Sequence, residues 1–165
     1  MITISEAGLS DIKTIQKITN ITWPLTYGEI LTKEQLDYML DLFYSEEALA
    51  KQIENKEQLF YLISDSESTI GFIGIEHNYK NEAITKIHKI YLLPETQGKG
   101  YGKIVFKSIE KLALENNSKA LLLNVNRFNK ALNFYQKLGF KIIEEIDIEL
   151  EHGYLMEDYV MAKEI

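Results

Sequence analysis

Three observations predict a mixed α/β fold in which the 165 residues form one domain. Short β-rich runs and segments of helical periodicity follow one another in the order β-α-α-β-β-β-α-β-α-β-β. The run 119–125 is apolar almost throughout, which is typical of a strand covered on both faces in a parallel sheet. A helix separates it from the strand at 84–93, so these two strands are expected to pair in parallel through one crossover. We therefore expect a mixed, mostly antiparallel sheet of about seven strands, flanked by about four to five helices.

Capping residues and apolar spacing set the bounds of the predicted elements. Ser10 and Ser45 each precede a helix, and Thr32 with Gln35 forms a capping-box pattern before another. Gly139 follows the last helix, where a glycine is a common terminator. Along the chain, the predicted elements are a strand at 2–6, helices at 11–21, 33–43 and 46–54, strands at 58–64 and 69–77 joined by a polar turn at 65–68, a strand at 84–93, a helix at 101–115, a strand at 119–125, a helix at 129–138, and strands at about 140–149 and 154–163.

Composition limits the classes of function. The chain has no cysteine, which excludes disulfides, thiolate metal sites and a cysteine nucleophile, and we expect no metal. Its net charge of −7 disfavours binding to nucleic acid. The N-terminus does not resemble a signal peptide and no apolar run is long enough for a membrane span, so the expected location is the cytoplasm, without a membrane partner. The sequence leaves open whether the protein is a monomer or a homodimer.

A glycine-rich segment between a predicted strand and a predicted helix indicates an anion site. Its glycines permit a tight turn whose N–H groups point the same way. The helix start adds unpaired N–H donors and the positive end of the helix dipole, a combination suited to pyrophosphate. A glycine-rich turn without a ligand explains the pattern about equally well. The candidate ligand-binding residues are Gln97, Gly98, Lys99, Gly100, Tyr101, Gly102 and Lys103.

Two familiar phosphate motifs do not fit this segment. The P-loop requires serine or threonine after Gly-Lys, but Ile104 follows Lys103. The dinucleotide fingerprint requires a third glycine where Lys103 stands. Neither class of nucleotide-binding protein is therefore indicated.

Two motifs, separated by a predicted helix and a predicted buried strand, carry more information than the glycines alone. The first has the form Q/R-x-x-G-x-G/A and is matched by Gln97, Gly100 and Gly102. The second is matched by Asn129, Ala131, Tyr135, Lys137, Gly139 and Phe140. Together, and with the order of elements along the whole chain, they resemble the GCN5-related N-acetyltransferase (GNAT) superfamily. The likeness is greatest to the branch containing bacterial polyamine acetyltransferases of the PaiA type.

The resemblance implies acetyl-coenzyme A as co-substrate and a role for particular residues. The turn 97–102 would hold the coenzyme A pyrophosphate. The preceding strand would splay from its parallel neighbour, so that Leu92 and Leu93 offer backbone groups to the pantetheine arm and the acetyl carbonyl. Asn129 would hydrogen-bond the pantetheine, and Tyr135 would protonate the departing thiolate.

Simpler structural roles are also open for three of the matched residues. Asn129 could cap the helix that it precedes. Tyr135 shares a helix face with Leu132 and Leu138 and could be a core tyrosine. Lys137 could reach a coenzyme A phosphate or be solvated.

Direct acetyl transfer requires a base, because an alkyl ammonium has a pKa near ~10.4 and must lose a proton before it attacks. His88 is the first candidate, since strand alternation places it on the same face as Leu92 and imidazole titrates near neutral pH. Glu76, at the end of the preceding strand, is the second candidate. In relatives that acetylate polyamines, the position of His88 often holds glutamate. A half-buried histidine bonded to a neighbour is an equally good interpretation of His88.

The connection between the first two helices contains candidate acceptor contacts. Trp23 and Tyr27 could line an amine site by packing and cation–π contact, or could be core aromatics. The leading function is acetylation of a primary amine on a small molecule, such as a polyamine or an amino compound. One alternative is a protein or peptide N-acetyltransferase, which a short connection over 22–32 and an open groove would favour. The other is a non-catalytic module that senses acetyl-coenzyme A.

Overall fold

The computed structural model describes residues 1–66 and 68–165, and these residues form five α-helices and seven β-strands. The helices are α1 (Ile12–Tyr27), α2 (Lys33–Tyr44), α3 (Glu46–Glu54), α4 (Tyr101–Glu115) and α5 (Leu132–Lys137). The strands are β1 (Ile2–Glu6), β2 (Leu59–Asp65), β3 (Ser68–Glu76), β4 (Ile84–Leu92), β5 (Ala120–Asn126), β6 (Lys141–Glu149) and β7 (Leu155–Glu164). Glu67, in the predicted turn at 65–68, lies outside the described residues.

Backbone hydrogen bonds order the seven described strands as β1-β2-β3-β4-β5-β7-β6. The pairs β1–β2, β2–β3, β5–β7 and β6–β7 are antiparallel. Strands β4 and β5 are parallel, in a register that runs from Ile84 opposite Ala120 to Ile87 opposite Leu123. The predicted mixed, mostly antiparallel sheet with one parallel pair is confirmed.

The described residues divide into two compact units, each with its own buried residues. The first comprises Met1–Glu76 and His88–Ile109, and the second comprises His77–Ile87 and Glu110–Ile165. Fully buried side chains in the first unit are Ile15, Leu49, Ile63, Phe72, Ile73, Ile75, Val105 and Ile109. The second unit buries Ile87, Ala113, Leu121, Leu123, Val125, Phe140, Val160 and Met161. That the chain forms one domain stays a prediction.

Helix α1 is longer than predicted, because it continues through Pro24 to Tyr27. Proline within a helix removes one backbone hydrogen bond and typically costs about 3 kcal/mol. The buried stripe of α1 continues past residue 21 to Trp23, and this packing offsets the loss. Trp23 and Tyr27 therefore lie on a helix, and the connection to α2 shrinks to residues 28–32.

The second unit differs from expectation in two local details. Helix α5 starts at Leu132 and not at residue 129, since the Oδ1 of Asn129 accepts the amide of Ala131 in a turn that precedes it. In β5, burial alternates, so the strand is fully covered on one face and partly exposed on the other. An apolar run alone could not distinguish that arrangement from burial on both faces.

Among the described residues, no helix is long and apolar enough to cross a membrane. In the same part of the chain, no group of three or more histidine, aspartate or glutamate side chains is arranged to hold a metal ion. The cytoplasmic location stays a prediction.

Candidate active site

The glycine-rich turn before α4 has a backbone that only glycine adopts without strain. Gly98 and Gly100 have φ values of +78° and +75°. A Cβ atom at either position would meet nothing within 4 Å, so conformation and not crowding requires glycine, and the space beside the turn is open. The amides of Gln97 and Lys99 donate to the carbonyls of Pro94 and Thr96, which precede the turn. The amides of Gly98 and Gly100 have no acceptor among the described backbone bonds. These two amides fit an anionic ligand such as pyrophosphate.

Helix α4 begins directly after this turn, with Gly102 and Lys103 in its first helical turn. The hydroxyl of Tyr101 donates a hydrogen bond of 2.6 Å to Oδ2 of Asp65. This bond lowers the pKa of Asp65 and raises the pKa of Tyr101. The Lys99 ammonium lies 5.8 Å from the centre of the Tyr101 ring. The side chain of Tyr101 is therefore used in contacts within the protein. A ligand at the turn would contact the backbone amide of Tyr101.

Strand β4 ends at Leu92, and both backbone polar groups of the next residue, Leu93, form hydrogen bonds within the protein. The amide of Leu93 donates to the carbonyl of Ile70 at 2.8 Å. The carbonyl of Leu93 accepts both the amide of Thr96, at 3.0 Å, and its hydroxyl, at 2.6 Å. The backbone groups of Leu93 are therefore used within the protein in this conformation, and the role expected for Leu92 and Leu93 stays a prediction.

Gly71 allows β3 to approach β4 very closely at this point. A Cβ atom on Gly71 would lie 2.4 Å from the carbonyl oxygen of Tyr91 and 3.2 Å from the Cα of Leu92. A larger residue at position 71 would displace the end of β4 together with Leu92.

His88 and Glu76, the two candidate bases, are hydrogen-bonded to each other. His88 Nε2 lies 2.9 Å from Glu76 Oε1, and the two side chains are 23% and 35% exposed. An ionised carboxylate only accepts hydrogen bonds, so the neutral imidazole must carry its proton on Nε2. The lone pair then lies on Nδ1, and the contact with the carboxylate orients the imidazole.

Five aromatic side chains of the first unit contact one another, and we call them the aromatic cluster: Trp23, Tyr27, Tyr44, Phe72 and Tyr91. The Trp23 ring centre lies 4.6 Å from that of Tyr27 and 5.4 Å from that of Tyr44. The hydroxyls of Tyr27 and Tyr91 share a hydrogen bond of 3.1 Å. Trp23 is only 4% exposed, whereas Tyr27 and Tyr91 are half-buried. Trp23 is thus a core residue of the cluster, and Tyr27 and Tyr91 present surface to solvent.

Sequence reasoning missed Lys89, the most unusual ionisable group of the first unit. It is 7% exposed, and burial lowers its pKa to about 7. The signal was available in the alternation of β4, since Thr85 and Ile87 occupy the buried face at the same spacing. A lysine at the next position of that face is an exception to the usual exclusion of charge from cores.

In the second unit, Asn129 uses its side chain locally. Its Oδ1 accepts the amide of Ala131 at 2.9 Å, and its backbone carbonyl accepts the amide of Leu132 at 3.2 Å. The side chain therefore closes a turn before α5 and does not cap the helix, whose N-cap residue is Ala131, without a side-chain capping bond. The side-chain amide group of Asn129 is the donor that a ligand would contact.

Tyr135 lies in α5, where its ring packs against two phenylalanines. The ring centres of Phe134 and Phe140 lie 5.8 and 6.1 Å away. Although part of the residue reaches solvent, burial of the phenol raises the pKa of Tyr135 to about 12. The phenol therefore keeps its proton at neutral pH. Lys137, at the end of the same helix, is exposed.

The predicted residues are thus distributed over both units. The first contains Trp23, Tyr27, Glu76, His88, Leu92, Leu93, Gln97, Gly98, Lys99, Gly100, Tyr101, Gly102 and Lys103. The second contains Asn129, Tyr135 and Lys137. A glycine turn with amides that fit an anion and a carboxylate-oriented histidine in one unit are compatible with a group-transfer enzyme whose donor carries phosphate.

Comparison with known proteins identifies the class. Residues 29–160 match the family model described as acetyltransferase (GNAT) domain. The spermidine N(1)-acetyltransferase of Thermoplasma acidophilum is 29% identical over 146 residues, which cover 86% of this chain and 89% of that protein. The uncharacterised N-acetyltransferase YuaI of Bacillus subtilis is 27% identical over 163 residues, or 95% of this chain and 90% of that protein.

A solved structure gives the same result. The crystal structure of PaiA N-acetyltransferase from Thermoplasma acidophilum in complex with coenzyme A superposes with a TM-score of 0.81 and 25% identity, covering 100% of this chain and 99% of that one. The chain belongs to the GNAT family of acetyltransferases, enzymes that use acetyl-coenzyme A as the acetyl donor.

Proposed function

We propose that this acetyltransferase transfers the acetyl group of acetyl-coenzyme A directly to a primary amine of a small molecule, either a polyamine or an amino compound. The spermidine N(1)-acetyltransferase and the PaiA N-acetyltransferase of Thermoplasma acidophilum, both similar over most of their lengths, support an amine acceptor. The net charge of −7 is compatible with a cationic acceptor.

The donor is bound, in this proposal, by the turn before α4. The open amides of Gly98 and Gly100 hydrogen-bond the pyrophosphate, and Lys99 and Lys103 add positive charge. Leu92 supplies backbone contacts to the pantetheine arm and to the acetyl carbonyl, where a backbone N–H stabilises negative charge as it develops. Acetyl-coenzyme A supplies an acetyl group activated as a thioester.

The observation that carries the proposal is the 2.9 Å contact between His88 and Glu76. Nδ1 of His88 accepts the proton that the amine must lose, directly or through a water molecule. The Glu76 carboxylate holds the imidazole in the required tautomer and stabilises the imidazolium once it forms. The two candidate bases therefore act together, with His88 as the base and Glu76 as its positioning residue.

Three residues of the second unit complete the set of proposed roles. Tyr135 donates the proton that the thiolate leaving group needs, which its high pKa of about 12 permits because the phenol is protonated at neutral pH. Asn129 uses its side-chain amide group for the pantetheine arm, and Lys137 reaches a phosphate of coenzyme A.

Release of thiol from acetyl-coenzyme A tests the proposal directly. The chain contains no cysteine, so every thiol that a disulfide reagent detects comes from coenzyme A. We expect turnover with at least one small primary amine in a panel containing spermidine, other polyamines, amino acids and short peptides. The His88→Ala variant should lose most of this turnover. Turnover with peptides alone would contradict the small-molecule acceptor.

Two other functions give different results in the same assay. A protein or peptide N-acetyltransferase is favoured by the short connection at 28–32 and would acetylate peptides in preference to small amines. A sensor would bind acetyl-coenzyme A tightly and release no thiol with any amine.

A further inference from the structure

Lys89 in β4 is enclosed by polar and aromatic groups of the first unit. Its ammonium donates hydrogen bonds to Oε1 of Gln52 in α3, at 2.7 Å, and to Oε1 of Gln58 just before β2, at 3.0 Å. It also lies 5.4 Å from the ring centre of Tyr44 in α2 and 5.2 Å from that of Phe60 in β2. Two carbonyl oxygens and two ring faces form a cage around a cation.

The charged and titratable groups facing this ammonium are few. Glu57, between α3 and β2, raises the pKa of Lys89, although less than burial lowers it. The Tyr44 phenol, from α2, stays neutral because burial raises its pKa. From β3 the neighbour is Gly74, where a Cβ atom would lie 2.6 Å from Oε1 of Gln58 and 3.5 Å from the Cβ of Lys89. The cage therefore depends on a glycine in the adjacent strand.

A buried lysine is costly for the stability of the fold. Removing an ammonium from water carries a penalty of several kcal/mol, and an apolar side chain of similar volume is often more stable at such a site. Methionine or leucine at position 89 would therefore stabilise the fold about as well as Lys89 does, or better. Lys89 instead places a positive charge at a defined position against the face of the Tyr44 ring.

Tyr44 connects this charge to the partly exposed tyrosines of the aromatic cluster. Its ring meets Trp23 edge-on, with centres 5.4 Å apart at 71°. Trp23 in turn contacts Tyr27 at 4.6 Å and Tyr91 at 6.2 Å. Because these rings are in direct contact, a shift of Tyr44 is transmitted to the side chains that face solvent.

We propose that Lys89 is a positioning residue for the acceptor amine, because its caged ammonium fixes Tyr44 and, through Tyr44, the Trp23, Tyr27 and Tyr91 side chains. This inference rests on the proposed function and adds to it that Tyr27, which the sequence predicts to line the amine site, contacts the acceptor. Loss of the charge loosens the cluster, so affinity for the acceptor falls while affinity for acetyl-coenzyme A is unchanged. Since the pKa of Lys89 is lowered to about 7, the charge and the order of the cluster decrease as pH rises through neutrality.

The intrinsic fluorescence of the protein reports on this cluster without any activity measurement. Trp23 is the single tryptophan of the chain. In the wild type we expect one sigmoidal change in its emission, with a midpoint near pH 7. The change should be absent in Lys89→Met and present in Lys86→Met, which removes another lysine of β4. It should also be present in His88→Gln, which excludes imidazole titration as its source.

Steady-state kinetics then separate a positioning role from a merely structural one. At pH 6.5 we expect Lys89→Met to raise KM for the acceptor about tenfold, the scale of one lost cation–π contact. We expect kcat and KM for acetyl-coenzyme A to stay within about twofold, and Lys89→Arg to recover part of the loss. Gly74→Ala crowds Gln58 without removing the lysine, and it should raise KM for the acceptor as Lys89→Met does. It replaces Lys89→Met in this test if that variant does not fold.

Contrary results have distinct meanings. A fluorescence change that persists in Lys89→Met, or is absent from the wild type, overturns the inference. So does an unchanged KM for the acceptor. If no amine is acetylated at all, the proposed function fails, and the fluorescence titration still decides whether Lys89 controls the cluster.

Discussion

The hydroxyl of Tyr101 donates a 2.6 Å hydrogen bond to Oδ2 of Asp65, joining the first residue of α4 to the last residue of β2. Asp65 also lies 3.7 Å from the N-terminal ammonium, at the opposite side of the same carboxylate. The start of α4 is thereby attached to the sheet immediately after the turn that carries Gly98 and Gly100. We expect the geometry of that turn to depend on this attachment, because its own glycines restrain it weakly.

Loss of this hydrogen bond should affect binding of the donor and not of the acceptor. We expect Tyr101→Phe to raise KM for acetyl-coenzyme A several-fold, on the order of one lost charge-assisted hydrogen bond, while KM for the amine stays unchanged. Asp65→Ala should have a similar effect. The double variant should be no worse than either single variant, since both remove the same bond. Additive effects would show that Tyr101 and Asp65 act separately.

The positive φ of Gly100 gives a matched pair of variants. Gly100 and Gly153 share a φ of +75°, and a Cβ atom at either would meet nothing within 4 Å. Alanine should therefore cost each position a similar free energy of unfolding, about 1 kcal/mol. We expect only Gly100→Ala to raise KM for acetyl-coenzyme A by tenfold or more, because its Cβ occupies the open space beside the turn. Equal KM values in the two variants would contradict a ligand at Gly100.

The order of elements and the glycine turn before α4 could be predicted from the sequence, because both depend on local signals. Apolar periodicity indicates strands and helices, and the glycines with the downstream motif indicate the anion site. The extension of α1 past Pro24 could not be predicted, since it depends on the packing of Trp23 in the first unit. A proline rule without that context ends the helix too early.

The pairings between side chains were also out of reach of the sequence. Glu76 and His88 were expected as competing bases, and the 2.9 Å contact that makes them partners is set by strand register. The hydrogen bond from the Leu93 amide to the Ile70 carbonyl likewise depends on how β3 and β4 pair. Lys89 could have been found by its position on the buried face of β4. The cage could not, because Gln52 and Gln58 come from segments distant in the sequence.

Replacement of Tyr135 tests the proposed proton donor. We expect Tyr135→Phe to lower kcat by about 10²- to 10⁴-fold, the usual range for general acid catalysis, with little change in either KM. With a pKa of about 12, the phenol stays protonated over the usual assay range, so it should not produce a basic limb in the wild-type profile. Tyr79→Phe, in a turn of the same unit, is the control. Unchanged kcat in Tyr135→Phe would remove this residue from the chemistry.

The pH dependence of kcat/KM tests the pairing of His88 with Glu76. The base must be unprotonated to work, so kcat/KM should fall as pH drops and the imidazole gains a proton. The Glu76 carboxylate stabilises that protonated form, and the amide of Glu76→Gln does not. We therefore expect the acidic limb to move to lower pH in Glu76→Gln and to disappear in His88→Ala along with most of the activity. An acidic limb that remains at the same pH in both variants would assign it to another group.

Stability as a function of pH gives a test of Lys89 that is independent of catalysis. Its pKa is lowered by the fold from 10.5 to about 7, so between these values the unfolded chain holds a proton that the folded protein has released. The free energy of unfolding should therefore rise with pH above 7, by at most about 1.4 kcal/mol per pH unit for this group. Below pH 7 both states are protonated, and the full penalty of the buried charge remains. The measurement is urea unfolding of the wild type and Lys89→Met at pH 6, 7.5 and 9. The free energy of unfolding of the variant, relative to that of the wild type, should be highest at pH 6 and should fall as pH rises. A constant difference across this range would mean that Lys89 does not titrate in its cage.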